Sequence, residues 1–297
     1  MAKKVNREET WYQIQVKRRE FIEQNQRILP ISSLVKILGI SRSYYYKFRN
    51  NSANLDKDSI LKNYILECHE KYKGIYGKLR IKAWLEKTYS IVLNHKKVYR
   101  LMKELGIKSI IRKKRQSRTY KTPEIVRENI LKRNFKASNP NEKWSIDVSY
   151  IPSKSIKFHY LCAIKDLYNN KIVGYSLSKF QDLEQVLTTE KETIKDKKLS
   201  NLVIHSDQGF QFTHKSYITL LESQGIKVSH SRRKKCLDNA PIECFFGHLK
   251  SELPYLYSLK TDEEILNAIR SYIKFYNEER IQVKLKGCSP NEFGNTA

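Results

Sequence analysis

Residues 144–151 read Trp-Ser-Ile-Asp-Val-Ser-Tyr-Ile, a strand-like run with an aspartate in its middle. A run of this texture specifies a β-strand that must pack on something. A carboxylate embedded in such a strand is costly unless it has a cation, a network of donors or an exposed edge. The run therefore demands both a sheet and a special place for Asp147. It also marks a change of texture. Before Pro140 the chain lacks strand alternation and reads as short helices. After it, strands are expected at 144–151, 158–164, 172–177, 202–205 and 226–229, with helices at 182–194, 215–223, about 241–252 and 261–276. Three antiparallel-type strands, then strands alternating with helices, predict a mixed-sheet domain. The fold class expected is α+β/α/β: a helical N-terminal region, a mixed sheet, and a C-terminal helix.

Within the first half, Ser32 or Ser33 is expected to cap a short helix with Leu34, Val35 and Leu38 on its apolar face. Gly39 supplies a turn, Ser41 caps again, and Arg42 to Arg49 form a second helix rich in Tyr and basic groups. This is a helix-turn-helix layout, with Arg42 on the helix placed to enter a groove. A helical hairpin that only packs is the alternative. A second helical unit covers 56–107, with helices at 59–71, 78–87 and 95–105, the last capped by Asn94 and stopped by Gly106. That last helix carries Lys96, Lys97, Arg100 and Lys103 around Val98, Leu101, Met102 and Leu105. It suits phosphate contact, or simply presents a solvated face. From Lys108 to Lys121, Arg112, Lys113, Lys114 and Arg115 lie in a run with no acidic residue, fit to track a nucleic-acid backbone or to act as a tether. Four segments follow: 1–55, 56–107, a basic linker 108–139, and 140–297.

The charge supports a polyanionic partner. Residues 1–140 hold 34 basic and 12 acidic side chains, whereas 141–297 hold 23 and 19, within a whole-chain net charge of +26. Such a field favours nucleic acid or an anionic membrane surface. No stretch free of Asp, Glu, Lys and Arg exceeds eight residues, far short of a spanning helix, so no membrane is expected. Five cysteines form no close pairs, and there is no Cys-x-x-Cys or close His pair, so neither a disulfide framework nor zinc is expected. A cytoplasmic nucleic-acid protein is the reading.

Two further carboxylates share the setting of Asp147. Asp207 ends a short apolar strand and precedes Gln208-Gly209, a common place for α/β active sites. Glu243 follows Pro241 by two residues, in the first turn of a helix. Two strand aspartates and a helix glutamate can converge on two divalent ions about 3.5–4 Å apart, clamping both oxygens of an in-line phosphoryl transfer. Hard oxygen ligands of this kind select Mg²⁺, with Mn²⁺ as substitute, over Zn²⁺. Lys250 lies seven residues after Glu243, which returns it to within about 20° of the same helix face.

The blocks Trp144-Ser-Ile-Asp147-Val-Ser-Tyr150, His205-Ser-Asp207-Gln-Gly209 and Asp238-Asn239-Ala-Pro-Ile-Glu243-Cys-Phe-Phe-Gly-His-Leu-Lys250 resemble the three catalytic blocks of DDE transposases and retroviral integrases. The chain as a whole resembles the second-frame (OrfB) product of two-frame bacterial insertion sequences. Tyr72-Lys-Gly-Ile-Tyr76-Gly77 is similar to the helical module that precedes the core in that family, and Tyr276-Asn277-Glu-Glu-Arg280-Ile281 to its C-terminal signature. One departure is Arg232-Arg233-Lys234-Lys235, where relatives commonly carry a Lys-Gly-Asn tripeptide.

The resemblance implies an RNase H-like core in which Asp147, Asp207 and Glu243 hold two Mg²⁺ ions. It implies that water frees a 3′-hydroxyl at an element end, and that this hydroxyl attacks a second phosphodiester without a covalent protein intermediate. Lys250 would hold a phosphate, while His205, Gln211 and Asn239 would support the site. Expected partners are double-stranded DNA, further copies of the chain on that DNA, and the upstream first-frame (OrfA) product, with the complex at the bacterial nucleoid. The alternatives are a nuclease of the same core that cuts without joining, and a regulator that occupies ends without cutting.

Overall fold

The computed structural model of the protein describes residues 17–18, 20–110, 125–195, 197, 199, 201–233 and 235–296. The chain divides into two compact units at Leu66/Glu67. In the first unit, a helical stretch at 20–25 precedes α1 (Ile31–Ile37) and the start of α2 (Arg42–Lys71). Ile22, Leu34, Val35 and Tyr45 form its buried core. Gly39 makes the turn at φ +65°, a conformation that costs glycine little.

Neither Ser32 nor Ser33 caps α1. Pro30 occupies the cap position with no side-chain bond, and its carbonyl accepts from Ser33 and Leu34 N–H at 2.9 and 3.2 Å. A proline's locked φ suits a helix start, so the serines fall inside the first turn. The helix beginning at Arg42 also does not stop at Arg49. It runs unbroken through the helix expected at 59–71, because residues 50–58 contain neither Gly nor Pro to end it.

In the second unit, α3 (Lys78–Tyr89) buries Ile81, Trp84 and Leu85. It packs with α4 (His95–Glu104), which buries Val98, Leu101 and Met102. Asn94 caps α4 by accepting from Lys96 N–H at 2.9 Å, and Gly106 ends it at φ +68°.

The sheet holds β1 (Lys143–Pro152), β2 (Phe158–Asp166), β3 (Ile172–Ser178), β4 (Val203–Ser206) and β5 (Lys227–His230) in the order β3-β2-β1-β4-β5. β1, β2 and β3 pair antiparallel, whereas β4 and β5 add parallel to β1. Between them come α5 (Leu183–Ile194), α6 (Phe210–Thr213) and α7 (Lys215–Ser223). Asp182 caps α5 by accepting from Gln185 N–H. After a 3₁₀ turn (Cys236–Asn239) come α8 (Ala240–Leu256), α9 (Asp262–Glu278), a second 3₁₀ turn (Val283–Leu285) and α10 (Pro290–Thr296).

Strand alternation separates the two cores. Trp144, Ile146, Cys162 and Ile164 face one side with Val186, Tyr217 and Leu221. Leu161 and Ala163 face the other with Ile242, Phe245, Leu249, Ile269 and Tyr272. Each such fully buried large apolar side chain contributes roughly 1.5–3 kcal/mol. The sheet is thus covered on both faces, by α5 and α7 on one and by α8 and α9 on the other.

Candidate active site

Asp147 stands opposite Ala163 in the β1–β2 register, and Ala163 packs among residues of α8. Period-two alternation then puts Ser145, Asp147 and Ser149 on the face that α8 covers. Three contacts seat that helix on the strand pair. Ser145 Oγ donates to Asn239 Oδ1 at 3.0 Å, Lys165 Nζ donates to the Pro241 carbonyl at 3.0 Å, and Lys250 Nζ donates to Ser149 Oγ. The Lys250 ammonium also lies 4.1 Å from the centre of the Tyr150 ring. Glu243, in the first turn of α8, is exposed beside this seam.

Asp207 reaches the same end of the sheet from the carboxyl end of β4. Its Oδ1 accepts from Gly209 N–H at 2.7 Å. A Cβ at position 209 would stand 2.9 Å from that oxygen, so a side chain there would displace the Asp207 carboxylate.

The three carboxylates feel one another. Loss of hydration raises Asp147 well above the usual carboxylate range, and the charges of Asp207 and Glu243 push it further, against the Val148 N–H and Lys250. Asp207 is raised by loss of hydration, and Glu243 by loss of hydration and then by Asp207. Three acids from β1, the end of β4 and α8 therefore share one electrostatic site. Its donors are all carboxylate oxygens, which suits Mg²⁺ or Mn²⁺, and a divalent cation relieves the repulsion. Among the described residues no group of three His, Cys, Asp or Glu side chains is gathered to hold one ion.

The supporting residues are interior. His205 is 1 % exposed and its Nδ1 lies 2.8 Å from Ser229 Oγ; burial lowers its pKa to about 4, so the ring is neutral. Gln211 and Asn239 are buried, and the Gln211 Nε2 and Asn239 Nδ2 atoms have no hydrogen-bond partner among the described residues.

Sequence reasoning missed several groups. Lys165 extends β2 past the expected end at 164. Asp238, wholly buried, accepts from Arg133 Nε at 2.7 Å, Asn129 Nδ2 at 3.0 Å, and Arg232 through Nε, Nη2 and the main-chain N–H. The loop that departs from the family pattern is thus closed by Arg232 and Asp238. The Asp-Asn lead-in was visible in sequence, but one of the two arginines that hold it, Arg133, comes from 105 residues away.

Of the residues read as DNA contacts, Arg42 is exposed at the first turn of α2. Lys96 and Arg100 are exposed on α4 and Lys97 is half-buried there, Arg100 also pairing with Glu104 at 3.0 Å. Arg112, Lys113, Lys114 and Arg115 lie outside the described residues. A cavity of about 730 Å³, lined by Lys78, Leu79, Tyr99, Met102, Ile107 and Val283 among others, belongs to α3 and α4 rather than to the carboxylates.

The putative transposase InsK for insertion sequence element IS150 of Escherichia coli K12 is 37 % identical, over 92 % of this chain and 96 % of its own length. The chain belongs to the insertion-sequence transposases. An uncharacterized transposase-like protein of Haemophilus influenzae is 40 % identical over 68 % of this chain and 93 % of its own. Transposase InsF for insertion sequence IS3A of Escherichia coli K12 is 26 % identical over 93 % and 97 %. An HTH-like domain family matches residues 56–115 of this transposase, and two Integrase core domain families match 137–236 and 243–297. Asp147 and Asp207 fall in the first core match and Glu243 opens the second. The simian T-cell lymphotropic virus intasome, in complex with a PP2A regulatory subunit, shows a TM-score of 0.48 at 14 % identity, over 73 % of this chain and 75 % of that one. No helix among the described residues is long and apolar enough to cross a membrane.

Proposed function

We propose that this transposase cuts DNA at insertion-sequence ends and joins the freed ends by direct strand transfer. The observation that carries the reading is that Asp147, Asp207 and Glu243, far apart in sequence, lie near enough for the charges of Asp207 and Glu243 to act on Asp147 and that of Asp207 on Glu243. A protein rarely gathers such charge without chemical use for it. Glu243 stands exposed beside that site, which suits a polymer laid across the surface rather than a small molecule enclosed in a pocket.

Asp147, Asp207 and Glu243 would hold two Mg²⁺ or Mn²⁺ ions. When bound, such ions activate an attacking oxygen and offset charge on the leaving one. The chain's own part is placement. Ser145 and Ser149 on β1 and Lys165 on β2 hold α8 and its head against the strand pair, so the three carboxylates keep one geometry. Lys250, braced by Ser149 and Tyr150, presents its charge to a phosphate near the cut. Lys96, Lys97 and Arg100 meet backbone phosphates without reading bases. Water attacks the phosphodiester at an element end and leaves a 3′-hydroxyl. That hydroxyl then attacks a second phosphodiester, one P–O bond forming as another breaks. Several copies act together on double-stranded DNA, with the upstream first-frame product as partner, at the nucleoid.

The deciding experiment is formation of excised element circles in cells, read by amplification across the joined ends. Strains carry this chain alone, this chain with its upstream frame, and the pair with Asp207→Asn. Circles from the intact pair that vanish with Asp207→Asn support the reading and show whether the partner is needed. DNA binding without circles in any strain would leave a regulator.

A further inference from the structure

Glu252 follows Glu243 by nine residues on α8. At about 100° and 1.5 Å per residue it lies half a turn out of phase and about 13 Å further along the axis. The helix therefore turns one carboxylate to the acid site and the other to the opposite side. There Glu252 is buried in a knot of charged and polar groups. Arg280 donates to its two oxygens through Nη2 at 2.6 Å and Nε at 2.8 Å, and the Tyr272 hydroxyl donates at 2.8 Å. Arg80 Nη1 approaches to 3.6 Å.

Arg80 sits in the first turn of α3, inside the segment matched as HTH-like. The same junction carries other ties. Ile281 N–H donates to the Tyr76 hydroxyl at 3.0 Å, and Lys73 Nζ donates to the carbonyl of Leu256, the last residue of α8, at 2.8 Å. Lys87 of α3 pairs with Glu292. Arg280 belongs to the C-terminal signature, for which the proposed chemistry has no use. Buried ion clusters of this kind seldom add stability over apolar residues of equal volume, but they can specify one docked geometry.

We propose that Glu252, through Arg280 and Arg80, is a positioning residue that fixes the HTH-like helices on the far end of the Glu243 helix, and so sets the number of nucleotides between the DNA they hold and the phosphodiester that is cut. The inference rests on the cutting reaction proposed above. The scale is demanding, because consecutive base pairs are about 3.4 Å apart, so a shift of that size moves the cut by one nucleotide.

Glu252→Gln would leave two guanidiniums facing each other around a neutral group and is expected to unfold the protein. Arg80→Met is the informative variant, since Arg280 and Tyr272 still hold Glu252. The full chain, with its upstream-frame product and Mg²⁺, is given end-labelled element DNA and the cuts are read at single-nucleotide resolution. Arg80→Met is expected to melt as the native chain does and to retain DNA binding. Its cleavage at the native position should fall about tenfold or more, with cuts spread to neighbouring positions, and Arg80→Lys should restore one position. A single unshifted cut in Arg80→Met, at whatever rate, overturns the proposal.

Amide exchange supplies a readout that needs no cleavage. End DNA should slow exchange in both α3 and residues 250–256 of the native chain, but only in α3 of Arg80→Met. If the native chain never cuts yet shows this coupling, the cutting reaction fails and the link stands. If it cuts while DNA leaves 250–256 unchanged, the link fails.

Discussion

Ser145 Oγ donates to Asn239 Oδ1 across 3.0 Å, with both side chains buried. Ser145 lies two residues before Asp147 on β1, and Asn239 four before Glu243 at the head of α8. The bond joins the two elements at a point that neither acid occupies. It fixes where the glutamate helix begins relative to the strand.

Ser145→Ala should therefore cost more than a surface hydroxyl would. It leaves Asn239 Oδ1 buried without its donor, a loss of about 1–3 kcal/mol. Urea denaturation measures that loss. Cleavage should fall while DNA affinity holds, because the helix head shifts and the basic face of α4 does not.

Asp207→Asn should abolish circle formation and raise stability at neutral pH. Asp207 has a raised pKa when folded, so its ionisation opposes folding as pH rises through the carboxylate range. Asparagine keeps an oxygen for Gly209 N–H and removes the charge. The melting temperature at pH 7 should therefore rise. A lower melting temperature for Asp207→Asn at pH 7 would contradict this account of the site.

Glu190 makes the fold lose stability as pH rises from the acid range to about 8. It is fully buried on α5, accepts from the Tyr217 hydroxyl at 3.1 Å, and burial raises its pKa from 4.5 to about 8. A raised folded pKa means that its contribution is complete below about pH 4.5 and is lost as pH climbs to about 8. Glu190→Gln should flatten that decline. Denaturation midpoints at pH 6 and pH 9 decide it, and equal slopes in the two proteins would contradict the assignment.

Lys96→Ala should weaken DNA binding equally for element ends and for unrelated sequence. The slope of log affinity against log salt should fall by about one for each phosphate that is no longer neutralised. A weakening confined to element ends would mean that Lys96 reads bases instead.

Much of the fold was legible in the chain because it is local. The run from Trp144 to Ile151 announces a strand, Asn94 and Asp182 announce caps, and Gly39 and Gly106 announce turns; each is a matter of a few neighbouring residues. Where the local signal was weak, the structure differs. The stretch from Asn50 to Asp58 is polar enough to look like a break, yet lacks the residues that force one, and α2 runs through it. Pro30 competed with Ser32 and Ser33 for the cap and prevailed by its fixed backbone angle.

The order of residues was enough to specify a mixed sheet after a helical, basic half, and to set Asp147, Asp207 and Glu243 at a strand centre, a strand end and a helix start. That these three places meet follows only from the packed fold. Packing also chose the partners that span long separations: Lys165 with the Pro241 carbonyl, Arg133 with Asp238, Arg80 and Arg280 with Glu252. The physical reason is that periodicity and capping are short-range, encoded within a turn or two of chain. A buried charge, in contrast, is satisfied by whatever group the packed sheet and helices bring to it.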